Sequence, residues 1–190
     1  SGNTGALLAT SLFLIGKIPG IQRPAFAPYI PSSNGGFILC DVGANANSKP
    51  EHLFQFAIMA EAYIEHLHGK LNPKVGLLNI GIEKNKGNDL FLSTYPILEK
   101  YIDNFVGNIE SRYLFDGNVD IVICDGFTGN IVLKQAESFY NLLKKRNIND
   151  SYFERLNYEN YGGTPILGLD KTVIIGHGIS NEIAIKNMIQ

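Results

Sequence analysis

The stretch of residues 120–134, DIVICDGFTGNIVLK, constrains the fold more than any other part of the chain. It begins with a short apolar run rich in β-branched residues, which predicts a buried strand ending at Cys124. An Asp-Gly pair then predicts a turn, and the residues from Thr128 onward predict a helix that continues to Lys145. A strand that feeds a helix through a glycine turn is the repeating unit of a parallel α/β sheet.

The rest of the chain repeats this alternation of short apolar strands and helices. Further strands are predicted at residues 37–40, 75–80, 105–107 and 172–175, with a short one within 25–30. Further helices are predicted at residues 4–17, 51–68, 89–101 and 181–188, the third interrupted or restarted near Pro96. Residues 161–168 are expected to be a loop, and residues 140–160 a helical tip. We therefore expect a single α/β domain over residues 1–190, with a mainly parallel sheet covered on both faces.

Composition and charge exclude several classes of protein. A chain of 190 residues with 45% hydrophobic content fits one domain with a substantial core. The formal net charge of −2 provides no basic surface for nucleic acid. No apolar run approaches the roughly 18 residues that a membrane span needs. Cys40 and Cys124 both end strand-like runs, which favours free thiols in a reducing cytosol over a disulfide, and no Cys/His spacing indicates zinc.

The helix start that follows Asp125 has two interpretations. A strand that ends in a glycine turn directs unpaired backbone N–H groups and a positive dipole end at one point, which is a natural anion site. Asp125 would then stand at the carboxyl end of its strand, where open α/β sheets bind ligands. In the plain interpretation, Thr128 or Asn130 is an N-cap and no ligand is involved. The residues themselves leave both interpretations open.

Similar polar side chains follow four of the predicted strands, and parallel strands bring such loops to one edge of the sheet. The side chains are Asn45, Asn47 and Lys49; Glu83, Lys84, Lys86 and Asn88; Asp125, Thr128 and Asn130; and His177 with Ser180. The Gly-x-Thr-Gly core recurs at the first helix, where it places Asn3 and Thr4. This set suits phosphate, because lysines supply charge while amides and backbone N–H groups donate hydrogen bonds. Taken singly, each residue also has an ordinary interpretation as a cap, a turn former or a solvated surface group.

The chain lacks the motifs that mark covalent or nucleotide-dependent enzymes. It contains no nucleophile elbow, Walker lysine motif or dinucleotide-binding glycine motif. No serine or cysteine has a base nearby in the sequence. A cleft of donors without a nucleophile suits direct transfer, in which bound phosphate attacks an acyl carbonyl and donors hold the developing oxyanion.

Long runs of the sequence resemble the bacterial phosphate acyltransferase family PlsX, of fatty acid and phospholipid synthesis. The runs are SGNTGALL, DVGAN followed by KPEHLFQFAIM, GLLNIGIEKNKGND, VGNIESR, DIVICDGFTGNIVLK, ENYGGTPILGL and HGIS. The resemblance implies a three-layer αβα fold of the phosphotransacetylase and isocitrate-dehydrogenase type, with Rossmann-type topology. It also implies attack of inorganic phosphate on a long-chain acyl–acyl carrier protein, which yields acyl phosphate and free carrier protein. The implied enzyme is a cytoplasmic homodimer with peripheral membrane attachment, and it uses no cofactor, metal or nucleic acid.

The resemblance also implies which residues form the site. It assigns catalytic roles to Lys86, Asn88, Asn130 and His177. It assigns the binding of substrate and phosphate to Asn3, Thr4, Asn45, Lys49, His52, Asp125, Thr128 and Gly129. We expect Lys49 and Lys86 to supply charge, and Asn130 with the backbone of residues 128–130 to face the oxyanion.

The chain departs from the family in several places. The family's opening strand and N-terminal segment are absent, and the region between Lys134 and Tyr161 is shorter than expected. The family has other residues where Asn47, Asp89 and residues 111–113 stand. Two alternatives therefore stay open: a phosphotransacetylase-like enzyme that uses acyl-CoA, and a binding domain that has kept the fold and lost turnover.

Overall fold

A computed structural model describes residues 3–157, 162–176, 178 and 180–189. The strands are β1 (Ala25–Phe26), β2 (Tyr29–Ser32), β3 (Gly35–Cys40), β4 (Val75–Asn79), β5 (Phe105–Glu110), β6 (Ile121–Ile123), β7 (Gly163–Leu167) and β8 (Ile174–Gly176). The α-helices are α1 (Thr4–Leu14), α2 (Pro50–His68), α3 (Asp89–Tyr101), α4 (Gly126–Lys145) and α5 (Glu182–Ile189). Two short 3-10 helices cover Ser111–Asp116 and Phe153–Leu156.

The central sheet has five strands in the order β2-β3-β6-β4-β5. All of its pairings are parallel except that of β2, which forms an antiparallel hairpin with β3 at the edge. A second sheet is antiparallel, with the order β1-β7-β8. The expectation of an α/β fold with a mainly parallel sheet is therefore confirmed.

Alternate residues of the central strands enter two hydrophobic cores, as the pleat of a strand requires. On one face, Ile38 and Ile123 pack with the buried side chains of α2 and α3. On the other face, Leu39 and Val122 belong to a core that α1 and α4 cover. This arrangement gives the three layers that the sequence predicts. Cys40 and Cys124 are free thiols buried in opposite cores, and burial raises the pKa of both.

Several predicted elements differ from those observed. Strand β5 continues to Glu110 instead of ending at residue 107. Its pairing with β4 shifts register at Gly107, which has a φ of 95°, and then resumes from Asn108 to Glu110. Residues 163–167, expected to be loop, form β7 despite Pro165. Helix α3 is continuous through Pro96, and α4 begins at Gly126 instead of Thr128.

The predicted ends of the other helices agree more closely with the structure. Helix α2 has Pro50 in its first turn, and Gly69 ends it with a φ of 60°. The tip region contains the end of α4 and one 3-10 helix, while its residues 158–160 lie outside the described part of the chain. Within the described residues, no helix combines the length and the apolar content needed to cross a membrane.

Candidate active site

The loop after β3 is organised around Asp41, whose side chain is fully buried. It accepts hydrogen bonds from the backbone N–H groups of Phe26 (2.9 Å), Ala44 (3.2 Å) and Asn45 (2.7 Å). The side-chain Nδ2 of Asn45 donates a fourth hydrogen bond, at 3.0 Å. Burial raises the pKa of Asp41 above its ordinary value, and these four donors oppose the rise. Asp41 thus ties β1 to the loop that precedes α2.

Asn45 holds three segments together. Its Nδ2 also donates to the carbonyl oxygen of Pro24 at 2.7 Å. Its own carbonyl oxygen accepts a hydrogen bond from the backbone N–H of Gly126 at 2.9 Å. The amide nitrogen of Asn45, predicted to bind substrate, is therefore already engaged in bonds within the protein.

Asp125 is the N-cap of α4, in place of the expected Thr128 or Asn130. One carboxylate oxygen accepts from the backbone N–H of Thr128 at 2.9 Å, and the other accepts from its hydroxyl at 2.7 Å. The backbone N–H of Gly129 donates to the carbonyl oxygen of Asp125 at 3.0 Å. The backbone N–H groups of residues 128 and 129 thus have partners within the helix start, and the expectation that they face an oxyanion stays a prediction.

Gly129 lies where α4 comes closest to the loop after β3. A Cβ atom at this position would lie 1.9 Å from the carbonyl oxygen of Asp41 and 2.9 Å from the Sγ of Cys124. The same carbonyl oxygen accepts a hydrogen bond from the Cys124 thiol at 3.4 Å. The requirement for glycine here is thus explained by packing of helix against loop, without a ligand.

Lys49 and His52 meet at the start of α2. The backbone N–H of Lys49 donates to Nδ1 of His52 at 3.1 Å, and the backbone N–H of His52 donates to the carbonyl oxygen of Lys49 at 3.0 Å. His52 is 6% exposed. Burial lowers its pKa, and the charges of Arg23 and Lys49 lower it further, while Glu51 acts in the opposite direction. His52 is therefore a neutral acceptor that caps α2.

We expect the capping bond of His52 to make stability depend on pH. Because its folded-state pKa lies below the unfolded value of about 6.5, its contribution is complete above that pH and is lost as the pH falls through the folded-state pKa. Urea unfolding at about pH 7.5 and about pH 5.5 measures this loss. The difference in unfolding free energy between the two pH values should shrink in His52→Gln. It should persist in His66→Gln, which changes an exposed histidine of the same helix. An equal difference in both variants would contradict the assignment.

Lys86 and Asn88 lie on the loop between β4 and α3, which hydrogen bonds hold in place. The side chain of Asn79 donates to the carbonyl oxygen of Lys86 at 3.0 Å. Asn88 is the N-cap of α3, where its Oδ1 accepts from the backbone N–H groups of Leu90 (3.1 Å) and Phe91 (3.3 Å). Lys86 is exposed, and no ion pair of its ammonium group is found among the described residues. Asn88 thus caps α3 through its Oδ1, and its predicted catalytic role stays a prediction, whereas the exposed ammonium group of Lys86 is accessible to an anion.

A cavity of about 420 Å³, here called the α4 cavity, lies between α4, the β2 edge, the β7–β8 hairpin and the start of α1. Its apolar wall includes Phe26, Ile30, Val42, Leu133, Leu156 and Ile175. Its polar groups include Thr4, Asn130, Lys134 and Glu137, together with glycine backbone. A mostly apolar cavity with a few polar groups is typical of a site for an organic ligand.

Asn130 and Thr4 are the predicted site residues that reach the α4 cavity. A Cβ atom on Gly43 would lie 3.5 Å from Oδ1 of Asn130, which places this amide beside the loop after β3. Asn130 is exposed, and in the part of the chain that the structure describes its side chain forms no hydrogen bond. Thr4 follows Asn3, the N-cap of α1, whose Oδ1 accepts from the backbone N–H of Ala6 at 2.9 Å.

Apart from Asn3, which caps α1, the predicted site residues that the structure describes fall into four places in the fold. One packed network around Asp41 contains Asn45, Asp125, Thr128 and Gly129. The α4 cavity is bordered by Thr4 and Asn130. The start of α2 contains Lys49 and His52, and the loop after β4 contains Lys86 and Asn88. His177 lies outside the described residues, so its predicted role stays a prediction. Within the described ranges, no group of three or more His, Cys, Asp or Glu side chains could hold a metal ion.

Sequence reasoning missed the contribution of Lys134 to the α4 cavity. Lys134 forms an ion pair with Glu137 at 3.0 Å, and both border the cavity. Their spacing from Asn130 places all three on adjacent turns of one helix face. The sequence spacing indicates that these three side chains share one face of α4. It does not indicate that this face of the helix borders a cavity.

Comparisons with known proteins agree with this architecture. The EutD phosphotransacetylase of Staphylococcus aureus superposes with a TM-score of 0.62 at 17% identity, over 97% of this chain and 58% of that one. A phosphotransacetylase of Streptococcus pyogenes gives 0.63 at 16% identity, over 98% and 58%. At such low identity the likeness defines the fold alone: an α/β protein of the phosphotransacetylase type.

The sequence comparisons define the family. The profile of the family described as "Fatty acid synthesis protein" matches residues 1–190, and the chain belongs to this family. The phosphate acyltransferase of Halothermothrix orenii is 47% identical over an aligned region of 211 residues, and that of Bacillus pumilus is 45% identical over 211 residues. All of this chain is covered in both cases, but it spans only 63% of the length of each relative. The aligned region exceeds the 190 residues of this chain, so both relatives have internal residues without a counterpart here.

Proposed function

We propose that the protein that carries this chain is a phosphate acyltransferase. Its substrates are a long-chain acyl–acyl carrier protein and inorganic phosphate, and its products are acyl phosphate and free carrier protein. Family membership and the name shared by the relatives support the reaction class. The observation that supports the proposal in this structure is the α4 cavity. Its apolar wall suits an acyl chain, and its polar groups include the Asn130 amide, which has no hydrogen-bond partner among the described residues.

The proposed reaction is one displacement at the thioester carbonyl. A phosphate oxygen forms a bond to the carbonyl carbon, and the carbonyl oxygen becomes an oxyanion. Collapse of this intermediate breaks the carbon–sulfur bond, and the carrier-protein thiolate leaves and takes up a proton. No residue of the protein is acylated in this sequence of events. The protein contributes by positioning both reactants and by stabilising the oxyanion.

Asn130 is the donor that we assign to the oxyanion. Its side chain borders the α4 cavity and has no hydrogen-bond partner among the described residues. The neighbouring backbone N–H groups of Thr128 and Gly129 are engaged, which leaves the side-chain amide to act. Lys49 and Lys86 are assigned to phosphate, because both are exposed and neither forms an ion pair within the described ranges. The cytoplasmic homodimer with peripheral membrane attachment, and the single domain over residues 1–190, also remain part of the proposal.

Removing the Asn130 amide should slow the chemical step. In the full-length protein, Asn130→Ala is expected to lower kcat about a hundredfold, the usual effect of losing one oxyanion donor. Acyl phosphate trapped by hydroxylamine as the hydroxamate measures this rate. Asn141→Ala, which changes an exposed asparagine of the same helix, should leave the rate unchanged. Equal rates for both variants and the parent would remove Asn130 from the mechanism.

A phosphotransacetylase-like activity on acyl-CoA is the second candidate, because the solved structures that share the fold carry that name. The phosphate chemistry would be the same, and only the thiol carrier would differ. A non-catalytic binding domain is the third, and formation of acyl hydroxamate by the full-length protein would exclude it.

A further inference from the structure

Lys134 is the one positively charged side chain among the described residues that border the α4 cavity. Asn130, the assigned oxyanion donor, borders the same cavity and precedes Lys134 by four residues on α4. Residues separated by four positions lie one above the other on a helix, with a rise of about 6 Å between them. The helix thus places a cation one turn from the amide that would hold the thioester carbonyl.

The Lys134 ammonium group is held by a weak ion pair at the border of the cavity. Its Nζ lies 3.0 Å from Oε2 of Glu137, which also borders the cavity. The Lys134 side chain is 59% exposed and the Glu137 side chain 33% exposed, and ion pairs at such exposure contribute little to stability. The order of the pair is also the less favourable one for a helix, because the lysine lies N-terminal to its acidic partner. The ammonium group can therefore exchange Glu137 for another anion at little cost to the fold.

Inorganic phosphate suits this exchange. Near neutral pH it carries more than one negative charge and has several acceptor oxygens, whereas Glu137 offers a single charge. The apolar wall of the cavity weakens the screening of charge by water, which strengthens the attraction between an anion and Lys134. Lys49 and Lys86, the other lysines assigned to phosphate, are not among the described residues that border the cavity. They can attract phosphate to this edge of the sheet, but a cation at the cavity itself is needed to hold it beside the thioester.

We propose that Lys134 binds the attacking phosphate in the α4 cavity, and that Glu137 occupies its ammonium group when phosphate is absent. The inference rests on the proposed function and adds a residue to its site. Phosphate displaces the Glu137 carboxylate, and one phosphate oxygen then approaches the carbonyl carbon while Asn130 holds the carbonyl oxygen. Lys134 forms no covalent bond in this step. It contributes charge and position.

The test uses the full-length protein with Lys134→Met, Lys134→Arg and Glu137→Gln. Lys145→Met is the matched control, because it removes an exposed lysine at the end of the same helix. Calorimetry with inorganic phosphate alone gives a dissociation constant that does not depend on turnover. Steady-state kinetics gives separate KM values for phosphate and for acyl–acyl carrier protein, and urea unfolding confirms that each variant is folded.

Lys134→Met is expected to raise the dissociation constant and the KM for phosphate about tenfold, with little change in the KM for the carrier-protein substrate. Lys134→Arg should recover most of the loss, because it restores the charge. Glu137→Gln should lower both phosphate constants severalfold, because it removes the competing carboxylate and its repulsion of phosphate. A purely structural ion pair would not shift phosphate binding in opposite directions in the two variants. The Lys145→Met control should match the parent.

Unchanged phosphate constants in Lys134→Met, or no phosphate binding by the folded parent, would overturn the inference. A rise confined to the KM for the carrier-protein substrate would also overturn it, because Lys134 would then contact the carrier or its thiol-bearing arm. The proposed function can fail separately. If no acyl transfer is detected while Lys134→Met still weakens phosphate binding in the calorimeter, the reaction is wrong and the phosphate site at Lys134 stands.

Discussion

Replacing Gly129 by alanine is expected to lower the free energy of unfolding by about 4 kcal/mol, a large effect for one methyl group. The added Cβ would lie 1.9 Å from a backbone oxygen of Asp41, so no side-chain rotation can relieve the contact. Helix α4 or the loop after β3 would have to move, and that movement would disturb the hydrogen bonds to Asp41 and Asn45. Urea unfolding followed by circular dichroism measures the change.

Gly5→Ala is the matched control, because Gly5 is also a helical glycine. Among the described residues, its added Cβ would meet only Oδ1 of Asn3, at 3.5 Å, which is an ordinary contact. Alanine favours a helix over glycine by about 1 kcal/mol, so this variant should be as stable as the parent or slightly more stable. A Gly129→Ala protein within about 1 kcal/mol of the parent would show that α4 does not approach the loop as described.

Replacing Asp41 by asparagine is expected to cost about 3 kcal/mol, although the shape of the side chain is nearly unchanged. The carboxylate accepts four hydrogen bonds in a fully buried position. An amide would present N–H groups toward these donors, so at least one buried donor would lose its partner. Because Phe26 and Asn45 depend on this carboxylate, the wall of the α4 cavity should loosen and acyl transfer should fall with stability.

Asp116→Asn provides the control for Asp41, since Asp116 is exposed at the end of a 3-10 helix. Its unfolding free energy should match that of the parent within about 0.5 kcal/mol. If the Asp41 variant unfolds at the same urea concentration as this control, the four hydrogen bonds do not stabilise the loop.

Local pattern was sufficient to predict most of the architecture. The apolar run before Asp125 has the length of a buried strand, and the helix after it carries its own start signal, so the strand–turn–helix unit needed no long-range information. The same reasoning missed β7, because glycines and Pro165 lower strand propensity while pairing with β1 and β8 compensates. The extension of β5 past Gly107 likewise depends on its neighbour β4.

The candidate site depends less on local pattern than the fold does, and the roles assigned to its residues stay predictions. Asn45, Asp125, Thr128 and Gly129 were predicted to bind substrate, yet their polar groups or backbone are engaged with one another or with Asp41. A polar residue after a strand serves either purpose, and only its partners in space distinguish them. The α4 cavity joins residues as distant as Thr4, Asn130 and Ile175, so no local pattern could reveal it.

The most direct test of the proposed reaction is phosphate-dependent release of free carrier protein from palmitoyl–acyl carrier protein by the full-length protein, with palmitoyl-CoA as the competing substrate. We predict release from the carrier-protein thioester, dependence on inorganic phosphate, and much slower release of CoA. Faster release from palmitoyl-CoA would contradict the assigned carrier and favour a phosphotransacetylase-like enzyme. No release from either thioester by a folded protein would contradict the proposal that this family member transfers acyl groups to phosphate.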